Sequence, residues 1–223
     1  MGELVVGMGE VGQALTQVLG CPGRDIEPSG LVAGTLHIAY PWSESFVEDT
    51  LGYVYEHEAD LVIVHSTVPV GTCDQYGWVH SPVRGRHPNL FEALTTFVKF
   101  AGGRRAGEMR WPGKLETTAL AATTEAAKLW ELAAFGLQVR LCQAVYEYSD
   151  AHGLNADVVY RQFAETHNEG VVAMGYPEVV KPVLDYVPGP IGGHCVTENM
   201  GLLDHPVAGL VAEGFTAASR SGE

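Results

Sequence analysis

Hydrophobic positions in the first half of the chain fall into short apolar runs separated by stretches with helical spacing. Leu4-Val5-Val6 is the first run, and it passes through Gly7, Gly9 and Gly12 into the helix-like Gln13–Leu19. A brief second strand is expected to end near Arg24-Asp25. Gly34–Tyr40 is a further short apolar strand that stops at Pro41, and Glu44–His57 then has helical spacing through Phe46, Leu51, Val54 and Tyr55. Asp60–His65 is a continuous apolar run of the kind buried on both faces of a parallel sheet. Phe97-Val98-Lys99-Phe100-Ala101 reads as a late strand. Gly102, Gly103, Gly107, Pro112 and Gly113 then mark a loop and a domain boundary. Strands alternating with helices predict βαβ units and the α/β class.

The pattern changes after Leu115. Up to about His152 the chain is rich in Ala, Leu, Thr and Glu, lacks proline, and has Gly136 as its one internal glycine before Gly153. A single helix over Thr117–Ala151 is expected, roughly 50 Å long at 1.5 Å per residue. That is too long to be buried inside so small a protomer. Leu129, Leu132, Phe135, Val139 and Tyr146 give it apolar surface to share with a second copy, so a homodimer is expected. Asn155–Glu169 and Tyr176–Leu184 read as two more helices. The expected architecture is a Rossmann-type doubly wound parallel sheet over residues 1–112, followed by a smaller all-helical domain over residues 113–223.

The glycine turn carries the first chemistry. In a strand–G-x-G-x-x-G–helix arrangement, Gly7 permits the tight turn and Gly9 removes a side chain that would block a pyrophosphate. Gly12 lets the helix pack on the strand, and free N–H groups at the helix start attract phosphates. Gly7, Gly9, Glu10, Val11 and Gly12 are therefore candidate cofactor residues, with Tyr40, Pro41 and Ser66 beyond later strands. Asp25 lies about 20 residues after the first glycine, where an acid receives the adenosine ribose. It favours NAD over NADP. Arg24 keeps NADP open, because a guanidinium there could receive a 2′-phosphate, and Glu27 is the substitute acid if the register slips. S-adenosylmethionine in a transferase is a third reading of the same turn.

Charge and cysteine content narrow the class. The 223 residues carry a formal charge of −14, which argues against a nucleic-acid surface. Arg84, Arg86, Lys99, Arg104, Arg105, Arg110 and Lys114 fall in one segment, readable as a local anion site or as a solvated loop. Cys21, Cys73, Cys142 and Cys195 lack C-x-x-C spacing and read as thiols. No apolar run approaches the roughly 20 residues that span a bilayer, and the first strand starts almost at Met1, so a cytoplasmic protein without a membrane partner is expected. His80, His87, His194 and His205 are not spaced as metal ligands, and no metal is expected. His87 and Asn89 are candidate substrate groups, with His87 able to act as acid or base near neutral pH.

Three further segments carry a family resemblance. Leu61–Thr72 contains Ser66-Thr67-Val68-Pro69-Val70-Gly71-Thr72 and resembles the strand and S-T-V-P-x-G-T turn of the UDP-glucose and GDP-mannose dehydrogenases. Thr124-Glu125-Ala126-Ala127-Lys128 is similar to their T-A-E-x-x-K segment, and Pro188–Cys195 to their P-G-x-G-x-G-G-H-C loop. The resemblance implies an NAD-dependent oxidoreductase acting on a small-molecule substrate. It assigns Cys195 the covalent nucleophile's place, Lys128 the stabilisation of an oxyanion, and Thr67 the positioning of water. His194 and Asn199 join His87 and Asn89 as substrate candidates. Leu132 stands where the family has an asparagine, Asn199 where it has an acid with Glu198 adjacent, and Val83 where it has the acid of N-P-E-F-L. The chain also ends soon after the loop, before the family's C-terminal domain. These departures point to one two-electron step on a small or anionic alcohol or carbonyl, or to a non-catalytic nucleotide-binding relative.

Overall fold

Each early apolar run becomes a strand of one sheet in the computed structural model, which describes residues 2–27, 30–85, 88–191 and 194–213. Along β1 (Glu3–Val6) the buried side chains alternate between two cores. Leu4 and Val6 join Leu36 and Ile38 of β3 (Thr35–Ile38), Val62 and Val64 of β4 (Leu61–Val64) and Phe46 of α2 (Phe46–His57). Val5 meets Ala14, Leu15 and Leu19 of α1 (Glu10–Leu19), together with Leu90 and Leu94 of α4 (Leu90–Thr96). Burial on both faces explains why these runs read as continuously apolar.

The remaining strands are β2 (Gly23–Arg24), β5 (Val79–His80), β6 (Lys99–Gly102) and β7 (Leu115–Thr118), and a short α3 (Thr72–Tyr76) precedes β5. The order across the sheet is β2-β1-β3-β4-β5-β6-β7, parallel throughout except between β5 and β6. From β1 the chain winds first to β2 on one side and then to β3 on the other, which places a topological switch point between β1 and β3. In open α/β sheets, ligands bind outside the carboxyl ends of the strands at such a point.

The start of the long helix differs from expectation. Leu115–Thr118 pairs in parallel with Lys99–Gly102 and completes the sheet, so α5 runs from Ala121 to Ala151. The sheet bonds satisfy backbone groups that a helical start at Thr117 would have taken. At 31 residues α5 is about 46 Å long. Contacts divide the chain into two compact units, Met1–Lys128 and Leu129–Glu223, and the division falls within α5.

Unit 2 packs Leu129, Leu132 and Ala133 of α5 against Val196 and Met200 of α7 (His194–Met200) and Val211 of α8 (Val207–Glu213). Gly136 makes this contact possible, since a Cβ there would lie 2.4 Å from Val211 Cγ1. Between α5 and α7, residues Val158–Gln162 form a π-helical turn leading into α6 (Phe163–Ala173). The expected helix over Tyr176–Leu184 is replaced by a 3-10 turn at Pro177–Val179 and extended chain. Pro182 disfavours the helical conformation of Lys181, and Asn168 takes up the Lys181 backbone on both its N–H and its carbonyl, each at 2.8 Å. No helix among the described residues is long and apolar enough to cross a membrane.

Candidate cofactor site

Gly7, Gly9 and Gly12 each perform a separate steric task at the mouth of the switch point. Gly7 has φ +95°, and a Cβ on it would lie 2.8 Å from the Tyr40 backbone nitrogen. A Cβ on Gly12 would fall 1.8 Å from the Gly7 carbonyl oxygen, so only glycine lets α1 start so close to β1. Gly9 differs: nothing lies within 4 Å of where its Cβ would be. It is the N-cap of α1 and supplies no side-chain cap, so the positive end of the helix faces open space. Glu10 and Val11 form the first turn, Glu10 exposed and Val11 half-buried. Such a helix start suits a phosphate, held by backbone N–H groups.

Tyr40, Pro41 and Ser66 stand on the other wall. The Ser66 hydroxyl donates to the Tyr40 carbonyl at 2.5 Å, tying the end of β4 to the end of β3. The Tyr40 phenol is turned inward, donating to Thr50 Oγ1 at 2.5 Å, while the Thr50 hydroxyl donates to the Phe46 carbonyl at 2.7 Å. Burial pushes the phenol's pKa up. Tyr40 thus offers its backbone to the crevice. On the β2 side, the Gly7 N–H donates to the Arg24 carbonyl at 2.9 Å, which puts exposed Asp25 one residue from the glycine turn.

Ser66–Thr72 enters α3 with its own capping arrangement. The Glu125 carboxylate accepts from Gly71 N–H at 2.6 Å and from Cys73 N–H at 2.8 Å. Reciprocally, the Asp74 carboxylate accepts from the N–H groups of Ala121 and Ala122, both at 3.0 Å. Each helix begins on an acid supplied by the other. Burial raises the Glu125 pKa, and burial followed by the nearby Glu125 charge raises that of Cys73. Thr67 is half-buried beside this turn, and Lys128 lies one turn after Thr124 on α5. Sequence reading missed Glu125 and Asp74 because each acid acts on a backbone about fifty residues away.

Histidines and a lysine form polar contacts inside unit 1. His80 spans two elements, meeting Thr124 Oγ1 at 2.9 Å through Nδ1 and the Ser66 carbonyl at 3.2 Å through Nε2. On the opposite face of the sheet, His37 Nδ1 meets His65 Nε2 at 3.0 Å, and His65 Nδ1 meets the Ser81 carbonyl at 2.8 Å. The carbonyl requires a proton on His65 Nδ1, so His65 Nε2 accepts from His37 Nδ1–H. His37 Nε2 is then a buried lone pair without a partner. Lys99 Nζ donates to the Ser81 and Pro82 carbonyls, both at 2.9 Å, and lies 3.3 Å from His65 Nδ1 under the Trp111 ring. Burial lowers all four pKa values: His37 to about 4, His80 to about 3, Lys99 to about 7, and His65 well below its usual range.

The basic segment does not assemble as one anion site. Arg105 pairs with Asp60 and Glu108, Arg110 with Glu3, and Lys114 with Glu116, while Lys99 is buried. Cys21, Cys73 and Cys142 are free thiols. Among the described residues no group of three or more His, Cys, Asp or Glu is placed to hold a metal ion. His205 stacks near Trp130, with ring centroids 4.9 Å apart.

No family model matches the sequence, and no curated protein matches it. Solved structures do match. UDP-D-ManNAc dehydrogenase from Pyrococcus horikoshii superposes with a TM-score of 0.76 at 17% identity, over 96% of this chain and 68% of that one. The UDP-N-acetyl-mannosamine dehydrogenase Cap5O from Staphylococcus aureus gives 0.69 at 18% identity, over 96% of this chain and 66% of that one. The chain has the UDP-sugar dehydrogenase fold. It spans about two thirds of the length of these two proteins. Psf3, solved in complex with NADP+ and 2-OPP, matches over 99% of this chain and 95% of its own with a TM-score of 0.58 at 14% identity.

Within the UDP-sugar dehydrogenase fold, the sequence-stated positions fall in both units. Lys128 ends unit 1, and Asn199 is half-buried on α7 in unit 2. Cys195 and His194 open α7, and their side chains lie outside the described residues, as does His87. Asn89 is exposed immediately before α4. Leu132 and Val83, which stand where the family has polar groups, both serve apolar packing: Leu132 in the core of unit 2 and Val83 against the α1–α4 core. Gln143, which carried no sequence signal, donates to the Val187 and Gly189 carbonyls at 2.9 and 2.8 Å and fixes the chain that leads toward α7.

Proposed function

We propose that the chain binds NAD in the crevice between the ends of β1 and β3 and is an oxidoreductase for a small or anionic alcohol or carbonyl compound. The observation that carries this reading is the glycine cradle, where Gly7 and Gly12 leave no room for a Cβ and Gly9 leaves open space before an uncapped helix. The residues present fit a dinucleotide. The α1 N-terminus and Gly9 would hold the pyrophosphate, Asp25 the adenosine ribose, and the Tyr40–Pro41 backbone with Ser66 the opposite wall. The bound cofactor supplies reversible hydride transfer.

This chain's residues supply charge and position. Lys128 polarises the reacting oxygen, and Cys195 lines the site rather than forming a thioester, because apolar Leu132 and Val83 stand where the family keeps polar groups. One two-electron step follows from that loss. Unit 2 carries exposed apolar side chains, and a homodimer that covers them completes the proposal.

A thermal-shift series tests the cofactor assignment. At about 100 times its dissociation constant NAD should stabilise the protein by roughly 2.7 kcal/mol. Gly9→Val, which fills the phosphate space without meeting protein atoms, should fold normally and lose that stabilisation. Undiminished NAD binding by this variant would remove the assignment. Binding without hydride transfer across a broad alcohol and aldehyde panel would favour a non-catalytic nucleotide-binding protein.

A further inference from the structure

We propose that Glu56 and His57 set the choice between the two nicotinamide cofactors by holding the Arg24 guanidinium inside the protein, so that Asp25 alone meets the adenosine ribose. The inference rests on the dinucleotide reading above and adds specificity determinants that make no contact with the cofactor.

An arginine at the end of β2, beside the ribose-binding acid, is placed to receive a 2′-phosphate, and such a phosphate is what separates NADP from NAD. Arg24 is placed in this way but is already engaged. Its side chain is 4% exposed. Nη1 donates to Glu56 Oε1 at 2.6 Å and to His57 Nε2 at 2.9 Å. His57 can accept there because its Nδ1–H donates to the Leu31 carbonyl at 2.6 Å, which leaves the Nε2 lone pair free for Arg24. The guanidinium carbon also lies 4.9 Å from the centre of the Tyr53 ring. All of these partners except Leu31 belong to α2, so the far end of one helix captures the cation.

The same guanidinium shapes the turn that bears the acid. Nε donates to the Asp25 carbonyl at 3.1 Å and Nη2 to the Ile26 carbonyl at 3.0 Å. With the backbone of residues 25 and 26 fixed from inside, the Asp25 side chain is left exposed. A 2′-hydroxyl can donate to that carboxylate. A 2′-phosphate meets only its negative charge, and reaching Arg24 would require breaking a buried, charge-assisted set of hydrogen bonds. The clamp thus converts a residue type suited to NADP into a support for NAD binding.

Fluorescence titration of the full chain with NADH and NADPH tests this. A released charge-assisted contact to phosphate is worth roughly tenfold or more in affinity. Wild type should prefer NADH by at least that factor. Asp25→Asn should weaken NADH yet leave NADPH nearly unchanged, because Arg24 remains held. Adding Glu56→Gln should then tighten NADPH about tenfold, and that gain should vanish when Arg24→Met is introduced as well. If Glu56→Gln proves unstable by its melting curve, Glu56→Asp shortens the clamp while keeping its charge and should give a smaller gain of the same sign. NADPH parity reached by Asp25→Asn alone, or no gain from either Glu56 variant, would overturn the clamp while leaving the dinucleotide reading intact. A wild-type protein that binds neither cofactor would overturn the dinucleotide reading and the clamp with it.

Discussion

Lys99 lies wholly inside unit 1, and the groups that face it are the carbonyls of Ser81 and Pro82, the His65 imidazole, the Trp111 ring and, through space, the Lys128 charge. Burial, and next the Lys128 charge, disfavour its protonated form and lower its pKa from 10.5 to about 7. The neutral amine fits the contacts, with two N–H groups for the two carbonyls and a lone pair toward His65 Nδ1–H. Between pH of about 7 and 10.5 the unfolded chain therefore holds a proton that the folded protein has released. Raising the pH across that window stabilises the fold. Urea unfolding midpoints should accordingly rise with pH in that range for wild type, and the rise should be much smaller for Lys99→Met. His37 adds a slope of the same sign at lower pH, since its folded value of about 4 lies below its usual 6.5.

At the scale of elements, the exchange of acids between α3 and α5 gives each helix a cap it does not carry itself. Asp74→Ala would leave the Ala121 and Ala122 N–H groups without their carboxylate and should cost about 1–2 kcal/mol in urea unfolding. Asp74→Asn, which keeps one acceptor oxygen, should recover part of that loss. These contacts also show what the sequence could reveal. The glycine turn and the strands around Leu4–Val6 and Leu61–Val64 were legible because a few adjacent residues decide them, through steric room and two-sided burial. Leu115–Thr118 was not, since Leu-Glu-Thr-Thr becomes a strand only through its pairing with Lys99–Gly102. Tyr176–Leu184 showed helical punctuation, but Asn168 outbid the helix for the Lys181 backbone. Arg24 was recognised as a complication for cofactor choice, whereas its capture by Glu56 and His57 depends on where α2 ends and left no local sign. The glycine half of the site was therefore readable, and the half built by long-range capping was not.

At the scale of the molecule, unit 2 presents apolar side chains to solvent, with Phe163 74%, Met174 66%, Tyr176 56% and Leu141 55% exposed. Leu129 and Leu132, which the sequence suggested for a shared helix surface, are instead spent on unit 2's own core, and Phe135 and Leu141 remain outward on α5. Covering such a surface is the usual physical origin of a stable interface. Light scattering at micromolar concentration should return about twice the 23.9 kDa of one chain, and Phe163→Asp with Met174→Asp should shift it toward one. The open start of α1 has a consequence for kinetics as well. A chain of formal charge −14 repels an anionic dinucleotide at long range, whereas the helix end attracts it only within its first turn. Because ions screen interactions beyond about 8 Å far more than those at contact, added salt quickens arrival at this site and leaves departure to the glycine cradle.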